Sequence, residues 1–221
     1  MRYTIPALIA VLALIAADGK PSWGAGGTEM VIKQKDGTSL TVPLPTPNGK
    51  PEDVVGVKAL TGTFLSFCLD AFPDDHAVSA KADQEGFREM AEEQAQSFLK
   101  NDMGRVWARR IKDNVVVVSV AQPPSHACAV RTILPTEPDM TRMTALAVGL
   151  WASQLSPPER LVTRPHERVD TGGGATEDAD RFDLLDSEGR SVESALIYTV
   201  HSPGKEEVEV RLARTRGDTR R

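Results

Sequence analysis

Three β-rich segments, Arg105 to Ile111, Val115 to Ala121 and Ala127 to Leu134, follow one another with only Lys112-Asp113-Asn114 and Gln122 to His126 between them. A parallel pair needs a crossover of a dozen or more residues, so connections this short force an antiparallel meander. The unbroken run Val115-Val116-Val117-Val118 asks for a central strand covered on both faces. A second group repeats the pattern: Arg181 to Leu185, a turn at Ser187-Glu188-Gly189, Val192 to His201, a turn at Ser202-Pro203-Gly204-Lys205, and Glu207 to Ala213. The expected fold class is therefore α+β, with two or three main helices packed on antiparallel β-meanders.

The helices are read from apolar spacing and from their stops. Val54 to Phe72 carries Phe64, Phe67 and Cys68 at i, i+3 and i+4, with Phe72 beyond them. Pro73 ends that helix, and Asp74 or Asp75 caps the next by accepting hydrogen bonds from its free N–H groups. The second helical stretch runs to about Lys100, with Phe87, Met90, Ala91, Ala95 and Phe98 as its core stripe and Gly86 as a break or kink. A third starts after Asp139, repeats Met140, Met143, Ala147, Leu150 and Trp151, and stops before Pro157-Pro158. Each meander thus follows a helix, which gives two helix-plus-meander units without residue-level self-similarity. Outside them, Glu29 to Lys33 and Ser39 to Leu44 suggest a loose hairpin, Asn48 to Asp53 a linker, and residues 163 to 180, with Gly172-Gly173-Gly174, an exposed loop.

The amino terminus reads as an address. Met1-Arg2 is followed by an apolar run from Ile5 to Ala17, and then by Pro21, Ser22, Gly24 and Ala25. That is the pattern of a secretory leader cleaved near Gly24. Asp18 and Lys20 stop the run short of the roughly 20 apolar residues that a spanning helix needs, so no stable membrane anchor is expected after cleavage. The expected organisation is a signal peptide at 1–24, a loose N-terminal segment and linker at 25–56, a single α+β domain at 57–214 and a basic tail at 215–221. The expected location is the periplasm or the exterior. In such an oxidising compartment Cys68 and Cys128, the chain's two cysteines, are expected to be bonded to each other.

Composition narrows the function more than it names it. Over 221 residues, 40% apolar and 26% charged residues exclude a disordered chain and a multi-span membrane protein, and a formal net charge of -5 argues against a nucleic-acid binder. His76, His126, His166 and His201 form no His-x-x-x-His or His-Glu-x-x-His pair, so no metal site and no cofactor are expected. Asp74-Asp75-His76 reads as helix capping. Ser125-His126 beside Cys128 lacks a nucleophile elbow, and Gly172-Gly173-Gly174 is followed by Glu177, Asp178 and Asp180, which repel phosphate. Arg211, Arg214, Arg216, Arg220 and Arg221 make the C-terminal end basic, and Arg216-Gly217-Asp218 is too short a motif to carry meaning.

The segment Phe64-Leu-Ser-Phe-Cys68-Leu-Asp-Ala-Phe72-Pro73-Asp74, followed by a polar helix, a hairpin and Cys128, resembles small secreted proteins of unassigned function from Gram-negative bacteria. The resemblance covers roughly residues 60 to 135. It implies export and the Cys68–Cys128 pairing, and it carries over no catalytic residue. The expected function is a periplasmic binding, accessory or inhibitor-like module with a periplasmic or envelope protein partner. The alternatives are a hydrolase that gathers Asp74, His76 and His126 into one pocket, and a structural component of the envelope.

Overall fold

The computed structural model describes residues 22–23, 29–33, 39–43, 51–99, 102–112, 114–134, 148–149, 151, 160–172, 174–205 and 207–216. Near the amino terminus β1 (Ser22–Trp23), β2 (Glu29–Lys33) and β3 (Ser39–Pro43) form a three-stranded antiparallel sheet in that order. The expected hairpin is β2 paired with β3, Val31 opposite Thr41. Ser22 and Trp23, inside the expected leader, pair with Val31 and Met30. The rest of that leader lies outside the described residues, as does the apolar run that defines it.

Helix α1 (Pro51–Thr63) starts within the stretch expected to be a linker. Proline tolerates the first helical turn, where its missing N–H has no partner to lose. The helix continues as a π-helical segment, Phe64–Ala71, closed by the Phe72 N–H donating to the Phe67 carbonyl at 2.9 Å. Phe72 leaves it with extended backbone, as the following proline demands. Helix α2 (Asp75–Glu85) is capped by Asp74, whose Oδ1 accepts from the His76 and Ala77 N–H groups at 2.9 and 3.1 Å. It ends at Gly86, which takes the left-handed φ of 74°. The expected single stretch to Lys100 is therefore two helices, separated by β4 (Arg88–Glu89), with α3 (Glu92–Leu99) following.

The remaining strands are β5 (Gly104–Ile111), β6 (Asn114–Ala121), β7 (Ala127–Leu134), β8 (Arg160–Thr163), β9 (Glu167–Gly172), β10 (Ala175–Leu185), β11 (Ser191–His201) and β12 (Val208–Arg216). Among the described residues they join β4 in one nine-stranded sheet, ordered β4-β5-β6-β7-β12-β11-β10-β8, with β9 also on β10. Every pairing is antiparallel, and the fold is α+β with the sheet dominant. The two meanders share this sheet: β7 pairs with β12, the last strand of each unit lying side by side.

Of the stretch 163–180 expected to be an exposed loop, residues 163–170 are exposed, but 167–172 and 175–180 are strand. β8 pairs with Phe182–Leu185 and β9 with Ala175–Ala179, so the two behave as one interrupted strand in a hairpin with β10. Gly174, which lies between Gly172 of β9 and its register partner Ala175 of β10, takes a left-handed φ of 79°. The third expected helix lies mostly outside the described residues, although Val148, Gly149 and Trp151 are helical.

Strand alternation sends the sheet's side chains into two cores. Val116, Val118, Val130, Leu134, Phe182, Leu184, Ile197, Val210 and Leu212 face α1, the π-helical segment and α2. On the other face α3 brings Ala95 and Leu99 onto Val106, Val117 and Ala121. The expected stripe is split accordingly: Phe87 belongs to the first core, Ala95 and Phe98 to the second, and Ala91 is exposed. No helix among the described residues is long and apolar enough to cross a membrane.

Candidate functional site

Cys68 on the π-helical segment and Cys128 on β7 form a disulfide, with 5.4 Å between their Cα atoms. Arg214 of β12 is the register partner of Cys128, so its side chain rises beside the bridge. Its Nη1 donates to the carbonyl oxygens of Cys68, Leu69 and Phe72 at 2.9, 3.0 and 2.9 Å, which the end of a helix leaves without internal partners. Its Nε donates to Glu193 on β11 at 2.9 Å, and Nη2 donates to the same carboxylate. The guanidinium lies 4.7 Å from the Trp151 ring and 5.7 Å from that of Phe72. The donors facing both sides are committed, so this residue fastens helix to sheet and leaves no group for a ligand. Arg211, Arg214 and Arg216 thus belong to β12; Arg214 is buried and is not part of a solvated basic end.

On the sheet's other face Arg131 of β7 stands directly across from Arg211 of β12. The Arg131 guanidinium lies 5.0 Å from the Phe98 ring, and its Nη2 donates to the Phe98 carbonyl at 3.3 Å. The Arg211 guanidinium lies 5.8 Å from the Tyr198 ring, and its Nη2 donates to Glu209 at 3.2 Å. The Nε atoms of both are buried without a hydrogen-bond partner. Burial, and then the like charge of Arg211, push the Arg131 guanidinium down to about 10, against the pull of Glu209. Burial also pushes the Tyr198 hydroxyl up. Sequence reading missed this pair because it depends on β7 meeting β12. One local signal was available: Arg131 is the one charged residue in the β7 segment.

Two further polar clusters sit on β10. Asp183, 2% exposed, accepts from Arg164 Nε and Arg181 Nε at 2.6 Å each and from Ser194 Oγ at 2.7 Å. Burial works against its charge, but these three donors hold its carboxyl below the usual range. His166 lies between two carboxylates, Nδ1 at 3.0 Å from Asp180 and Nε2 at 3.2 Å from Asp178. Those contacts, Asp180 first, raise its pKa. Arg168 Nη2 donates to Asp178 at 3.0 Å and His201 Nε2 stands 3.7 Å from it. Among the described residues no three His, Cys, Asp or Glu side chains are arranged to hold a metal ion.

The residues named for a hydrolase are used otherwise. Asp74 caps α2, His76 is exposed, and the His126 ring packs edge-on against Phe72 at 4.8 Å. Among the described residues no hydrogen bond links His126 to Asp74 or His76. Ser66 Oγ, near the disulfide in sequence, donates to Glu85 at 2.9 Å and so ties the π-helical segment to α2. No family model, no curated protein and no solved structure matches this chain.

Proposed function

We propose that this chain is an exported, disulfide-braced binding or accessory module of a Gram-negative periplasm, acting through its surface on a protein or small-molecule partner. The observation that carries the reading is the Cys68–Cys128 bridge, which joins the helical layer to the sheet and needs an oxidising compartment to persist. The apolar run behind Met1-Arg2 supplies the route to such a compartment. The polar side chains support binding over turnover: Arg214 and Asp183 are engaged in holding one element to another, and Asp74 in capping α2.

The test is expression of the full chain in a Gram-negative host, followed by fractionation and affinity capture from the periplasm. A shortened, oxidised chain recovered with a stoichiometric partner supports the reading. A full-length, reduced chain in the cytoplasm, or a chain that turns over a periplasmic metabolite, contradicts it.

A further inference from the structure

We propose that Arg131 and Arg211, at the seam where the two meanders join, form a binding site for a phosphoryl oxyanion, either free or carried on a small molecule or lipid headgroup. Like charges set directly opposite on neighbouring strands are unfavourable, and this pair stands in the middle of the sheet. Among the described residues the one carboxylate hydrogen-bonded to the pair is Glu209, which accepts from a single nitrogen of Arg211, while the Arg131 side chain donates to a backbone carbonyl. Counting hydrogen-bonded groups alone, two half-buried cations share one carboxylate, while Glu177 and Glu167 act on the neighbouring Tyr198. Native interiors seldom leave buried donors unmatched, yet both Nε atoms are.

The geometry selects the ligand class. The Phe98 ring lies against the Arg131 guanidinium and the Tyr198 ring against that of Arg211, so each ring restrains one fork at the seam. One fork suffices for a planar carboxylate. A tetrahedral phosphoryl group offers three terminal oxygens and up to two charges, which is what two separate guanidinium groups match. Glu209 competes for Arg211, so the account requires that deleting its charge should tighten binding.

The site deepens the binding-module reading, and the two fail separately: an exported, oxidised chain with no phosphate response overturns the site and leaves that reading standing. The experiment titrates the mature oxidised protein with sodium phosphate at constant ionic strength, followed by calorimetry and thermal melting. A saturable response is expected, weakened about ten-fold or more by Arg131→Gln or Arg211→Gln. Arg190→Gln, on the β10–β11 turn with Asp186 and Glu188, should leave it unchanged. Glu209→Gln should tighten it by about three-fold, a gain that a damaged fold does not mimic. No saturable response in the wild type, an undiminished one in a folded double arginine variant, or unchanged affinity in folded Glu209→Gln overturns the proposal. So does acetate saturating the response better than phosphate. Sedimentation with phosphatidic acid vesicles, lost in Arg211→Gln, identifies a lipid-borne ligand; a response to phosphate alone identifies a free one.

Discussion

Arg214 donates through Nη1 to the carbonyl oxygen of Cys68 at 2.9 Å, across 146 residues of sequence, and holds Glu193 with its other nitrogens. The arginine therefore closes the helical end that the disulfide also fastens. Removing one partner of a buried pair costs about 3–5 kcal/mol, because the other is left charged and desolvated. Arg214→Met should lower stability by about that amount in denaturant unfolding, and Arg214→Met with Glu193→Gln should be less unstable than the sum of the two single losses. Strict additivity would mean that the two side chains do not act as a pair.

Asp183 should contribute to the acid limb of stability. Folding lowers its pKa, so its contribution is complete above the unfolded value of about 4 and is lost as the pH falls through the folded one. Asp183→Asn should cost about 1.5–3 kcal/mol at neutral pH, and the gap from wild type should narrow in acid. Urea unfolding at a series of pH values checks this; a gap independent of pH would assign the loss to packing instead.

His166 should titrate on the opposite side. Its pKa is raised by Asp180 and Asp178, so what it adds is complete below the unfolded value of about 6.5 and is lost as the pH rises through the higher folded one. Proton NMR should find its imidazole titrating above 6.5, and Asp180→Asn should bring it down. No downward movement in that variant would remove the carboxylate contact as the cause.

How far these features could be read in advance depended on where their partners lay. β5, β6 and β7 are legible because short turns and apolar alternation are local properties, and Pro73 points to a cap at Asp74 or Asp75, of which Asp74 is the one used. β9 and the first half of β10 read as a loop in sequence because Glu177, Asp178 and Asp180 give no apolar face. Asp178 instead contacts its cross-strand partner Arg168, and His166, just before β9, lies between Asp178 and Asp180. Arg214 reads as part of a basic end because nothing near it in sequence says that three carbonyls and a half-buried glutamate await it. The helical stripe through Phe87 and Ala95 concealed a change of face, since a break at Gly86 lets the chain pass the short edge strand β4.

Export and bracing by a single bond are both tested by the thiols. The bridge spans a sequence separation of 60 residues, for which chain entropy gives about 4 kcal/mol, so Cys68→Ala and Cys128→Ala should each lower the melting temperature alike and the double variant no further. The most direct measurement is the intact mass of protein recovered from the periplasm, denatured and alkylated with and without prior reduction. The expected product is a chain shortened at its amino terminus that takes up no alkyl group until reduced and then takes up two. A chain of full length carrying two alkyl groups without reduction would contradict it.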